Sequence, residues 1–280
     1  MLNAAQVYLF IAPFTVFFFV WATGSSNNYI IAWIINMALM IFCAWLLGQK
    51  GFKDRDTNKK QLALISCFLI APFLLLSIVG GMGVPPGTAK EWVEKASREQ
   101  VRFSLLIVSG ILIGIGLILL REKLRQTKGN FYAQFGFAII IIALPIFIFI
   151  TSFWHSYALE AYKIKLSSDS QKLPDWFLSF RSQVWVLTVV EVVLTYLAIA
   201  AFATALKTAD WFRKVFSSIY IIICLLAFVC IISYPLYTST GIFPDFPYYP
   251  FMVPAVPFLL TYYMGVNLLR KAGTYDFSLS

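Results

Sequence analysis

One carboxylate stands inside the apolar part of this sequence. Glu191 lies in the run 184–206, with Thr188 three residues before it and Thr195 four residues after. On a helix that spacing puts the three on one face, a polar stripe in an otherwise apolar segment. Glu191 is about eight residues, or roughly 12 Å, from the outer end of that run. An ionised carboxylate deep in a bilayer costs about 2.5–3.5 kcal/mol on insertion scales, so Glu191 has to be protonated, paired or wet. Two readings follow. In one, Glu191 with Thr188 and Thr195 forms a proton or cation site facing a cavity. In the other, Glu191 is neutral, or is paired with Arg102, Arg181 or His155 near the outer surface, and locks helices together.

Other chemistries have little to work with. His155 is the single histidine. Bis-His haem ligation and His-rich zinc sites are therefore excluded within one chain. His155 follows Phe153-Trp154 at the end of an apolar run and reads as an interfacial residue. Glu160, five residues on, is a poor helical partner for it. Cys43, Cys67, Cys224 and Cys230 all fall within apolar runs. They read as small packing residues, neither disulfides nor ligands. Gly80-Gly81-Met82-Gly83 lacks the Lys-Ser/Thr pair of a nucleotide-binding loop. A rhodopsin-like pigment would need a lysine in a late span, and none is there. An enzyme acting on lipid would need an acid, a base and a nucleophile at one depth. The sequence assigns no catalytic residue, no metal and no cofactor, and leans against an enzyme.

The elements that would hold these residues are helices in a bilayer. Sixty per cent of the chain is hydrophobic and 12% is charged; soluble domains run at roughly 45–50% and about 25%. About 20 apolar residues make one crossing. Eight runs qualify: 6–22, 29–48, 61–84, 103–120, 131–154, 184–206, 215–235 and 250–269. Glu191 is the only formal charge inside any of them. A transmembrane β-barrel is excluded because runs such as Ala138 to Leu144 do not alternate. The expected fold is all-α: one transmembrane domain over 1–280, a polytopic helical bundle of eight spans arranged as four out-and-back hairpins. Met1 to Gln6 holds no Lys or Arg, so the first run is read as a retained span and not a cleaved signal.

Orientation follows from the connecting segments. The segments 49–60, 121–130, 207–214 and 270–280 hold fourteen Lys and Arg in 41 residues; 23–28, 85–102, 155–183 and 236–249 hold eight in 67. The denser set is cytoplasmic, which puts both termini inside. It also accounts for the net charge of +9, which faces an anionic inner leaflet and needs no nucleic acid. The expected location is a cell membrane, plasma or bacterial inner.

Prolines and glycines mark the irregular places. Pro13, Pro72, Pro145, Pro254 and Pro257 are candidate kinks, either hinges around a cavity or static bends. Phe10 to Phe14 resembles Leu69 to Phe73 at an offset of 59 residues, a hint of duplication that coincidence explains as well. Gly110 and Gly114 form a small face for close helix packing or dimerisation. Asn36, Tyr262, Tyr263 and Asn267 are either polar cavity walls or links between helices.

Short helical extensions are expected outside the membrane. Thr88 and Glu91 match a capping box, with Glu91–Lys95 and Glu94–Arg98 at favourable spacing. A helix should start near residue 89 and stand about two turns proud of the membrane. The fifth span should continue through 155–166, and Pro174-Asp175 should open the next helix, with Trp176, Phe177, Phe180 and Trp185 at interface depth. Residues 243–250 read as an interfacial anchor or a lid. Taken together the sequence implies a multi-pass membrane protein. It leans to small-solute or ion transport through Glu191, with a non-catalytic sensor, assembly factor or complex subunit as the alternative. The lipid bilayer is one partner; a second copy or another chain of a membrane complex is the other candidate.

Overall fold

Long apolar runs become long helices because a bilayer leaves the backbone no other way to satisfy its hydrogen bonds. The structure, a computed structural model, describes residues 2–23, 26–83, 85–168, 172–240 and 249–274, with side chains for 4–15, 31–83, 85–168, 172–233 and 251–273. The described elements are α1 (Leu2–Thr23), α2 (Ser26–Lys53), α3 (Thr57–Gly81), α4 (Ala89–Glu94), α5 (Ala96–Leu124), α6 (Asn130–Ser152), a π-helical turn (Phe153–Tyr157), α7 (Ala158–Ser167), α8 (Asp175–Thr208), α9 (Lys214–Thr240), α10 (Tyr249–Met252) and α11 (Ala255–Thr274). No strand occurs among the described residues. Among the described residues six segments are long and apolar enough to cross a membrane: those in α2, α3, α5, α8 and α9, and the continuous rod from α6 through α7. The first and last helices, α1 and α11, are 22 and 20 residues long.

The outward faces carry what lipid requires and water would not tolerate. Ile34 and Phe42 on α2, Phe135 and Ile142 on α6, and Ile222 and Val229 on α9 are each at least half exposed. Contiguous apolar surface of this kind marks contact with a membrane or a partner. The inward faces pack in a definite order. α3 lies between α5 and α11, α6 runs along α8, α8 along α9, and α1 along α2. A Cβ added at Gly110 or Gly114 would strike Phe147 or Leu144 of α6. The small-residue face of α5 is thus filled from within the same chain. At the C-terminal end of α5, Lys123 reaches Asn58 and, at 2.9 Å, Gln61 of α3. In the preceding turn, Lys59 holds the Asp54 carboxyl below its usual range by a 2.7 Å hydrogen bond.

The prolines separate into two groups. α1, α3 and α6 continue through Pro13, Pro72 and Pro145. Pro254 and Pro257, in contrast, sit at the start of α11, where N–H groups have no intrahelical partner. They open that helix instead of kinking it, and the expected span 250–269 is divided between α10 and α11. Pro13 has no N–H to offer the carbonyl of Leu9, four residues earlier. Tyr262 fills the gap: its hydroxyl donates to the Leu9 carbonyl at 2.7 Å. Tyr263 donates to the Phe10 carbonyl at 2.8 Å, but that carbonyl is in register for the N–H of Phe14. Tyr262→Phe should therefore lower the unfolding free energy by about 1–2 kcal/mol, and Tyr263→Phe by about 0.5 kcal/mol. Denaturant titration in mixed micelles measures both, and equal losses would show that the proline does not matter.

At the opposite end of the bundle the chain builds a small cap. The Thr88 hydroxyl accepts from the Glu91 N–H at 3.3 Å, and the Glu91 carboxylate accepts from Gly87. The helix begins at Ala89, but it does not run on into the span: it breaks at Lys95, and α5 starts afresh at Ala96. The break lets Trp92 turn inward and stack against Trp154, Tyr162 and Phe103. The expected pairs along this segment are replaced by Lys90–Glu94 at 3.9 Å and Arg98–Glu99 at 3.4 Å. α7 carries the fifth long helix out to Ser167, and α8 opens at Asp175 after Pro174. Residues 243–248 lie outside the described residues, and of Tyr249 and Pro250 only the backbone is described.

Candidate functional site

α5 packs on α3 and α6, and α8 packs on α6 and α9. α5 and α8 thus face each other across a gap instead of closing on it. The gap is a cavity of about 700 Å³, closed on its remaining side by the segment from Met252 to Thr261. Its size is that of a small-molecule site, and its walls fit the usual pattern of apolar side chains with a few polar groups. α8 lines it over the longest stretch, from Leu178 to Ile199. Pro254 and Pro257 line it too, whereas Pro13, Pro72 and Pro145 do not.

Glu191, Thr188 and Thr195 all face this cavity. Glu191 is 8% exposed, and its carboxylate accepts from the Thr195 hydroxyl at 2.7 Å. Thr188 does not join them: its hydroxyl donates back to the Val184 carbonyl at 2.8 Å. The hydroxyls of Thr151 and Thr261 on the other walls are likewise spent on their own helices, on Phe147 and Pro257. One carboxylate with one hydrogen bond is left as the polar centre of an apolar chamber. No Lys, Arg or His pairs with it among the described residues.

The three groups suggested as its ion partners are elsewhere. Arg102 is buried against Glu99 at 2.7 Å, and its other amino group donates to the carbonyls of Gly83 and Met82 at 2.6 and 3.3 Å. His155 lies in the π-helical turn with Nδ1 2.7 Å from the Ser156 hydroxyl, away from the cavity walls. Arg181 does line the cavity, but as an exposed residue ten positions up α8, about 15 Å from Glu191 along the helix axis. Asn36, Tyr262, Tyr263 and Asn267 stay out of the cavity. Asn36 accepts from Tyr8 at 2.6 Å, and Asn267 donates to Tyr220 at 3.4 Å. No protein-family model, curated protein or solved structure matches this chain.

Sequence reasoning missed two parts of this arrangement. One is the Glu99–Arg102 pair, whose i,i+3 spacing was the available signal. Gly83, with φ of 72°, is the other half of that signal: a glycine in the left-handed region that turns its carbonyl toward Arg102 after α3 ends. The second is the pair Trp154 and Trp185 on the cavity wall. Trp185 reads from sequence as an interface anchor, and nothing local to it distinguishes a wall from an anchor. Among the described residues no group of three or more His, Cys, Asp or Glu is placed to hold a metal ion.

Proposed function

We propose that this chain crosses a cell membrane eight times, with both ends on the cytoplasmic side, and that it moves a small solute or ion through the cavity beside Glu191. The observation that carries this reading is a buried carboxylate without a cationic partner, facing a chamber large enough for a ligand. An intramembrane acid is expensive to keep. Where it only ties helices together, a cation normally stands against it. Here the site is completed by something that arrives: a proton or a positively charged group.

Flux assays on reconstituted vesicles test this. With candidate amines and inorganic cations on one side, the wild-type protein should couple their movement to protons, read by a trapped pH dye. Glu191→Gln should lower that flux about tenfold or more, since it removes the charge and keeps the shape. No flux with any solute, or flux indifferent to Glu191→Gln, defeats the proposal. The role of a non-catalytic subunit would then take its place, favoured by the folded outer cap around Trp92.

A further inference from the structure

The cavity is long and its walls are apolar, and together these name a substrate class. Its lining on α8 runs over twenty-two residues from Leu178 to Ile199, about 30 Å at 1.5 Å per residue. That length matches an extended hydrocarbon chain, whose carbons pack against apolar walls at about 3.5–4.0 Å. The walls suit such a chain: Leu106, Ile113, Leu144, Phe147, Ile150 and Val184 offer only apolar surface. Glu191 interrupts them about 12 Å from one end of the slot and about 20 Å from the other. The longer arm runs outward past Trp154 and Trp185 to the exposed Arg181 and Ser182.

We infer that the ligand of this cavity is a linear alkyl cation, its ammonium group against Glu191 and Thr195 and its chain along the outer arm. The inference rests on Glu191 being the substrate site proposed above. Two charged groups face the slot, and they differ in setting. Arg181 is exposed to solvent, where a charge interaction is screened within about 8–10 Å. Glu191 is 92% buried, at an effective dielectric nearer 20 than 80, so the same contact is about four times stronger there. The carboxylate therefore selects the head group, and Arg181, about 15 Å away, is left to the water at the mouth. A primary ammonium fits best because its three donors can meet both Glu191 oxygens and the Thr195 hydroxyl. An alkyl chain reaches such a slot by partitioning first into the bilayer.

Binding to the purified chain in lipid nanodiscs tests the class. The probes are dodecylamine, protonated at neutral pH, dodecanol of the same chain length, and tetraphenylphosphonium as a wide lipophilic cation. Dodecylamine should bind about tenfold or more tighter than either of the others. Glu191→Gln should weaken the amine about tenfold and leave dodecanol unchanged, a difference that cancels partitioning into the lipid. Ile113→Trp, which fills the slot without touching the acid, should weaken both chains in a protein that still elutes as a single species. Equal binding of amine and alcohol, an amine indifferent to Glu191→Gln, or tetraphenylphosphonium as tight as the amine overturns the inference. Glu191-dependent proton flux would survive that failure. Conversely, amine binding as expected in a protein that carries nothing across vesicles keeps the ligand class and removes the transport reading.

Discussion

Replacing Arg102 with leucine should cost the fold about 3–5 kcal/mol, an effect large enough to leave little folded protein. The residue is 3% exposed and its partner Glu99 is 2% exposed. Removing Arg102 leaves the buried Glu99 with only the half-exposed Arg98, at 3.4 Å, beside it. It also uncaps the carbonyls of Met82 and Gly83, which the guanidinium holds where α3 ends. The fault is therefore double: Glu99 loses its buried and closer counter-ion, and the turn between α3 and the cap loses its anchor. The loss should be largely regained in the double variant Glu99→Leu with Arg102→Leu, because replacing a buried pair by apolar side chains is often neutral. Thermal unfolding in mixed micelles measures all three proteins. A single variant within about 1 kcal/mol of wild type would mean that water reaches the pair and that it is not buried as a unit.

What the sequence disclosed divides along a physical line. Features written in consecutive residues were legible. The helical class, the start of α4 at Ala89, the extension through α7 and the opening of α8 at Asp175 each follow from capping, proline or apolar periodicity within a few positions. The stop between α4 and α5 was not legible. Residues 95 and 96 are good helix formers, and the break serves Trp92, whose partners Trp154 and Tyr162 are some sixty to seventy residues away. The same holds for Pro13. Its freed carbonyl is predictable from α1 alone, but the hydroxyl that satisfies it comes from α11, 253 residues along the chain.

The site follows the same division. Glu191 was conspicuous because a charge in an apolar run is rare and costly. Its surroundings were not, because a cavity is the place where two helices fail to meet, and absence of contact has no sequence signature. The three cations that could have answered Glu191 were nameable, but whether any of them did was a question of topology, and none does among the described residues. Arg102 is taken by Glu99, one turn earlier on its own helix. Arg181 is on the right helix but too far along it. His155 is turned away by the π-helical turn, whose extra residue rotates the chain beyond it by about 100°.

That turn is where the second large effect should appear. Phe153→Ala should lower the unfolding free energy by about 3–5 kcal/mol. Phe153 is 1% exposed, and its ring lies within 6.2 Å of those of Trp154, Tyr157, Phe177 and Phe180. It joins the end of the fifth long helix to the start of α8, and so holds together the two elements that form the outer arm of the cavity. Deleting the ring leaves a hole that α8 cannot close without moving Val184 and Trp185, which line that arm. The damage should thus reach the Trp92–Trp154 stack, seen as a weakened near-ultraviolet dichroism signal before global unfolding. Phe131→Ala is the matched control. The same side chain on the same long helix, 73% exposed, should change stability by about 0.5 kcal/mol or less. If the two variants lose stability equally, position within the cap carries no weight, and the cap is not what fixes the geometry of the cavity mouth.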